Sequence, residues 1–88
     1  MIKFEYDLNK SQANKQKHGI DFEEAQSLWL DENRVQIQAK SDTEPRFALI
    51  ACYDDKLWSA FYTYRSSHIR IISVRRSRDN ERKIYDEG

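Results

Sequence analysis

Six arginines and a lysine crowd into the stretch from Tyr64 to Tyr85: Arg65, Arg70, Arg75, Arg76, Arg78, Arg82 and Lys83, against Asp79 and Glu81 alone. The local balance is +5 in a chain whose formal net charge is zero. A guanidinium stays protonated at any physiological pH, and its planar fork matches a carboxylate or a phosphate with two parallel hydrogen bonds. Arginines on both faces of one strand each need an anionic partner or water. Residues 1–64 carry 8 basic and 11 acidic side chains, residues 65–88 carry 7 and 4. Anion recognition must therefore come from a local patch, because the molecule as a whole is no polycation.

Other reactive groups are few. Two histidines fifty residues apart (His18 and His68), a single cysteine (Cys52) and no His-x-x-x-His or paired-Cys spacing make no metal-ligand set. Gly19 and Gly88 are the only glycines, so no Gly-rich phosphate loop exists and no cofactor is expected. His18 ends a polar stretch, where an imidazolium can cap free helix carbonyls. It is also the natural candidate for proton transfer, since histidine titrates near neutral pH. Glu81 and Tyr85 are four apart and share one face of a helix.

The elements that must position these groups are legible in order. Ile2, Phe4 and Tyr6 alternate with Lys3 and Glu5, the pattern of a half-buried strand. Asp7 suits an N-cap for a helix over Leu8–His18, closed by Gly19 as a left-handed residue. Leu8 and Ala13 are that helix's only apolar positions, so alone it is marginal. Asp21 and Glu24 form a capping-box pattern before a second helix over about Phe22–Leu30, with Phe22, Ala25, Leu28 and Trp29 on one stripe. Residues 33–40 alternate as a one-sided strand. Apolar runs at Phe47–Tyr53 and Leu57–Tyr64 flank an Asp54-Asp55 turn, and a turn at Ser66-Ser67 leads into a strand over His68–Arg76. A charged helix follows from about Arg78. Parity places Arg70, Ile72, Val74 and Arg76 on one face of the last strand, and Ile69, Ile71, Ser73 and Arg75 on the other. The order β-α-α-β-β-β-β-α predicts one α+β domain over residues 1–88: a four-to-five-stranded, mainly antiparallel sheet with two N-terminal helices and one C-terminal helix, the helices collected on one face.

Charged residues reach 34%, but 39% hydrophobic and 12% aromatic residues are too many for a disordered chain. The lone Cys52 sits in an apolar run and builds no disulfide framework. No apolar run approaches the roughly 20 residues that span a bilayer, and no signal-peptide core opens the chain. A cytoplasmic protein with no membrane contact is expected.

The segments FEYDLNK at 4–10, NKQKHGIDFEEA at 14–25 and IRIISVRRSRDNERKIYDE at 69–87 resemble, in that order, the BrnT-type toxins of bacterial type II toxin–antitoxin systems. The likeness spans nearly the whole chain. It departs at Tyr6, where a Trp is frequent, and at Ser66-Ser67 and the middle strands, which lack the usual Gly. The resemblance implies a RelE-like fold and a metal-independent endoribonuclease that cleaves RNA and inhibits translation. It also implies a cognate BrnA-like ribbon-helix-helix antitoxin, which supplies any contact to DNA.

Cleaving RNA without a metal needs a base for the 2′-hydroxyl proton, an acid for the leaving 5′-oxygen and cations for the phosphorane. With the resemblance in view, Arg65, Arg70 and Arg76 are candidates to hold the phosphate, with His18, Glu81 and Tyr85 as candidate helpers. Glu81 suits orienting an arginine better than acting as base. Lys17, Arg75, Arg78 and Arg82 are candidates for RNA binding. His68 is a weaker candidate for a role at the turn. Tyr53, Tyr62 and Tyr64 could stack on bases, or fill the core of a small sheet. Two rivals remain at this point: a non-catalytic RNA-binding module, and a protein-interaction domain whose arginines match an acidic partner.

Overall fold

The structure is a computed structural model and describes residues 2–88. Its elements run β1 (Phe4–Glu5), α1 (Leu8–His18), α2 (Phe22–Ala25) tightening into a 3-10 turn (Gln26–Leu30), β2 (Val35–Ala39), β3 (Arg46–Tyr53), β4 (Lys56–Arg65), β5 (His68–Arg76) and α3 (Asp79–Glu87). The five strands form one sheet in the order β1-β5-β4-β3-β2. Strands β2 to β5 are an antiparallel meander, while the two-residue β1 pairs parallel with β5. Both tight turns have two central residues with positive φ, Asp54 and Asp55 (55° and 60°) and Ser66 and Ser67 (49° and 69°). That is the type I′ geometry, whose twist matches the strands it joins.

The main core lies between one face of the sheet and the segment from Ile20 to Trp29. Ile20, Phe22, Ala25, Leu28 and Trp29 pack on Leu49, Ala51, Trp58, Ala60, Tyr62, Ile69, Ile71 and Val74. Aromatic edges interlock at its centre: Trp29 meets Phe4 and Tyr62 edge-on, at centroid distances of 5.0 and 5.1 Å. Gly19 has φ 83° and closes α1 as expected, and Asp21 and Glu24 complete the capping box. The expected single helix over Phe22–Leu30 instead winds α, then 3-10. The tighter turns bury Leu28 and Trp29 while Leu30 stays 80% exposed.

Helix α1 solves its shortage of apolar residues with polar ones. Its buried side chains are Ser11 and Asn14. The Asn14 amide donates to the carbonyls of Ile20 (2.8 Å) and Val74 (3.0 Å) and accepts from the Val74 N–H (3.2 Å). Beyond its short pairing with β1, β5 has no strand on that side among the described residues, and Asn14 satisfies the backbone there as a neighbouring strand would. Ser11 Oγ accepts the Phe22 N–H at 2.9 Å and ties α1 to α2. No helix among the described residues is long and apolar enough to cross a membrane.

Two further expectations change. Ile71 pairs with Tyr62 but Ser73 with Phe61, so Ile72 is an extra residue in a β-bulge. The bulge reverses the parity: Ile69, Ile71, Val74 and Arg76 share the core face, and Arg70, Ser73 and Arg75 share the other. It lets all three apolar residues Ile69, Ile71 and Val74 be buried in one layer, which strict alternation forbids. The helices also divide. α3 lies on the sheet face opposite α1 and α2, where Glu81 meets Ser59 and the end of the helix reaches Val35.

Candidate active site

The second face of the sheet is covered by α3 at one end and open at the other. The register places Ser59, Phe61, Thr63 and Arg65 of β4 on this face, beside His68, Arg70, Ser73 and Arg75 of β5. At the open end Arg65 stands directly across from His68, and Arg70 across from Thr63. Arg46 joins them from β3, since its neighbour Phe47 pairs with Tyr62 on the core face. Adjacent strands lie about 4.8 Å apart, so Arg46 and Arg70 stand roughly 10 Å apart across β4. Arg70 Nη1 meets Glu5 Oε2 at 3.1 Å, with both side chains about a third exposed. Such a pair adds little stability and leaves most of the guanidinium's donors unspent. Arg46 is half-buried, and its Nε is secluded from water with no hydrogen-bond partner among the described residues.

His68 has a defined orientation here. Its Nδ1 lies 3.0 Å from the carbonyl of Ser66. A carbonyl only accepts, so Nδ1 carries the proton and the neutral ring keeps its lone pair on Nε2. The same-face neighbours of that ring are Arg65 and Arg70.

The covered end is a buried charge network. Glu81 is 7% exposed and accepts from Arg75 Nη1 (2.8 Å), Arg75 Nη2 (2.9 Å), the Arg78 N–H (2.8 Å) and Ser59 Oγ (2.9 Å). Ser59 spends its proton on Glu81, so Ser77, 2.9 Å away, is the donor to Ser59 Oγ. Burial pushes the Glu81 carboxyl up, but the Arg75 fork, the Arg78 N–H and Ser59 together outweigh it and hold Glu81 below the ordinary carboxylate value. A carboxylate so fully bonded is a fixed acceptor, not a proton acceptor at neutral pH. Arg75 also donates to the Arg76 carbonyl (3.1 Å) and lies 5.0 Å over the Phe61 ring. Its guanidinium is therefore committed to the fold.

The remaining residues singled out in the sequence are dispersed. Arg76 lies on the opposite face, 5.6 Å over Trp58. Tyr85 donates to Asp31 Oδ2 at 2.7 Å, and that hydrogen bond, aided by burial, pushes its hydroxyl up to about 12. Asp31 also accepts the Cys52 N–H at 2.8 Å, so Tyr85 pins α3 to β3. Arg78 and Arg82 are exposed on and before α3, and Lys17 is exposed on α1. His18 is half-buried at the end of α1 rather than on the sheet. Of the phosphate-binding candidates, Arg65 and Arg70 come together. Sequence reasoning passed over Arg46 and gave His68 little weight. The alternation of Arg46 with Ala48 and Ile50 was the available signal for the first. Among the described residues, no group of three or more His, Cys, Asp or Glu gathers as a metal-ligand set.

A search of curated proteins gives no match. A family model described as the ribonuclease toxin, BrnT, of type II toxin–antitoxin systems matches residues 6–81. That span begins just after β1, takes in α1, α2, every later strand and the start of α3, and includes the arginines of the open face together with Arg75 and Glu81. The chain belongs to the BrnT family of ribonuclease toxins of type II toxin–antitoxin systems.

Proposed function

We propose that this ribonuclease toxin is a metal-independent endoribonuclease acting at the open end of the second sheet face, and that cutting RNA there inhibits translation. The observation that carries the reading is the grouping of Arg65, Arg70 and Arg46 around an oriented His68. His68 Nε2 takes the proton of a ribose 2′-hydroxyl, and the 2′-oxygen attacks the adjacent phosphorus. The bond from phosphorus to the 5′-oxygen breaks, and that oxygen leaves with a proton from water. The products are a 2′,3′-cyclic phosphate and a 5′-hydroxyl. The arginines hold the phosphate and offset the charge that builds on its oxygens during attack. Arg75 and Glu81 act at one remove, by fixing α3 and Phe61 beside the open face.

A toxin of this class has an antitoxin partner. The proposed one is a ribbon-helix-helix protein whose toxin-binding segment brings acidic residues to these same arginines. Its association would be fast and salt-sensitive.

The test is incubation of the purified chain with RNA in EDTA, with end-group analysis of the fragments. Cleavage that persists and leaves cyclic or 3′-phosphate ends is expected. Arg70→Ala should reduce the rate about 10²–10³-fold, the scale for one transition-state donor, with its melting temperature nearly unchanged. Strict dependence on added Mg²⁺, or a fully active Arg70→Ala, would overturn the proposal.

A further inference from the structure

The core face of the sheet holds a second feature that cleavage chemistry does not use. The 3-10 turn stops at Leu30, short of the sheet's end, and leaves a cleft of about 790 Å³ floored by the strands. That volume is in the range of small-molecule sites. Trp29 forms one wall and Tyr64, 53% exposed, another. Between them stands Gln36, whose Oε1 accepts from the hydroxyls of Tyr62 (2.5 Å) and Tyr64 (3.3 Å). Tyr62 is fully buried, and burial raises its hydroxyl well above the ordinary phenol value, so it remains a donor. Two donors on one oxygen fix which way the amide faces. The Gln36 NH2 then has no protein partner among the described residues and stands as a pre-oriented pair of donors. Lys3 and Arg34 lie on the rim against the single carboxylate of Glu32.

We infer that this cleft is a base-recognition subsite for single-stranded RNA, with the exposed ring of Tyr64 as the stacking surface, the buried Trp29 closing the wall opposite, the Gln36 amide reading an acceptor on the base edge, and Lys3 and Arg34 taking the phosphate. Every base has a face that stacks and at least one edge acceptor, and a fixed amide discriminates among the edges. The position suits an extended strand. Tyr64 and Arg65 are consecutive on β4 and point to opposite faces, so the β4–β5 turn is all that separates the cleft from the arginines of the open face. An RNA strand folded over this turn would place one nucleotide in the cleft and a phosphate a few bonds away at Arg65. The inference deepens the ribonuclease reading and rests on it for the identity of the polymer, but binding in the cleft is measurable without cleavage.

The experiment uses the full ¹⁵N-labelled chain titrated separately with AMP, GMP, CMP and UMP. The expected result is saturable shifts of the Gln36 side-chain amide and the Trp29 indole N–H, strongest for one or two of the four. Tyr64→Ala should weaken that binding roughly 5- to 150-fold, the range for removing one base–aromatic stack. Gln36→Leu should flatten the preference among the nucleotides and broaden the cleavage pattern on RNA. Shifts confined to the Arg65–Arg70 face, or no shift with any nucleotide, would overturn the inference and leave the cleft to a protein partner. So would a preference and cleavage pattern indifferent to both substitutions. Cleft binding by a chain that cuts no RNA would instead refute the ribonuclease mechanism and leave the subsite standing.

Discussion

Removing the Glu81 carboxylate should be among the most damaging single changes outside the apolar core. Glu81→Ala leaves the Arg75 guanidinium, 22% exposed, without its bidentate partner, and strips the acceptor from Ser59 Oγ and the Arg78 N–H. Breaking one side of a buried ion pair costs about 3–5 kcal/mol. Partial exposure of Arg75 puts the expectation at the lower end, ~3 kcal/mol. For a domain of this size that is a fall of roughly 12–24 °C in melting temperature. Urea denaturation of wild type, Arg75→Met, Glu81→Ala and the double variant gives the coupling energy directly. Geometry this well satisfied should couple by about 2 kcal/mol or more. Acid supplies an independent check through Glu81→Gln. The folded carboxyl lies below its unfolded value, so its contribution is fully present above about pH 4.3 and is lost as pH falls through the lower folded value. The stability gap between wild type and Glu81→Gln should therefore hold at neutral pH and close in strong acid. A coupling under ~0.5 kcal/mol, the scale of an exposed pair, would refute the view that this network anchors α3.

Three further outcomes are expected. Asn14→Leu orphans the Val74 N–H and the carbonyls of Val74 and Ile20, and chemical denaturation should show a loss of roughly 2–4 kcal/mol; a neutral substitution would mean water replaces the amide. Ser66→Asn with Ser67→Gly relieves two left-handed serines in the β4–β5 turn and should raise stability by about 1 kcal/mol by thermal melting. Tyr85→Phe removes the hydrogen bond to Asp31 and should cost about 1 kcal/mol with RNA cleavage unaffected, so a loss of catalysis by orders of magnitude would return Tyr85 to the reaction.

Local chemistry determined much of this molecule. Asp7, Gly19 and the Asp21–Glu24 pair bound their helices because caps depend on neighbours a few residues away. The meander and its two tight turns follow from apolar runs too closely spaced for any other connection. The concentration of arginines after Tyr64 was likewise visible as composition. Which arginines share a face was not. That depended on the bulge at Ile72, where burying Ile69, Ile71 and Val74 in one layer overrides simple alternation. It moves Arg75 to the face of Arg65 and Arg70 and sends Arg76 to the other. The fate of each charged group also turned on distant partners. Glu81 meets Arg75 and Ser59 only because α3 folds back over the sheet, and Tyr85 is drawn to Asp31, 54 residues away in sequence. The polar helix α1 makes the same point. Nothing local marks Asn14 as a core residue, and its place there exists because β5 has backbone groups that no strand covers.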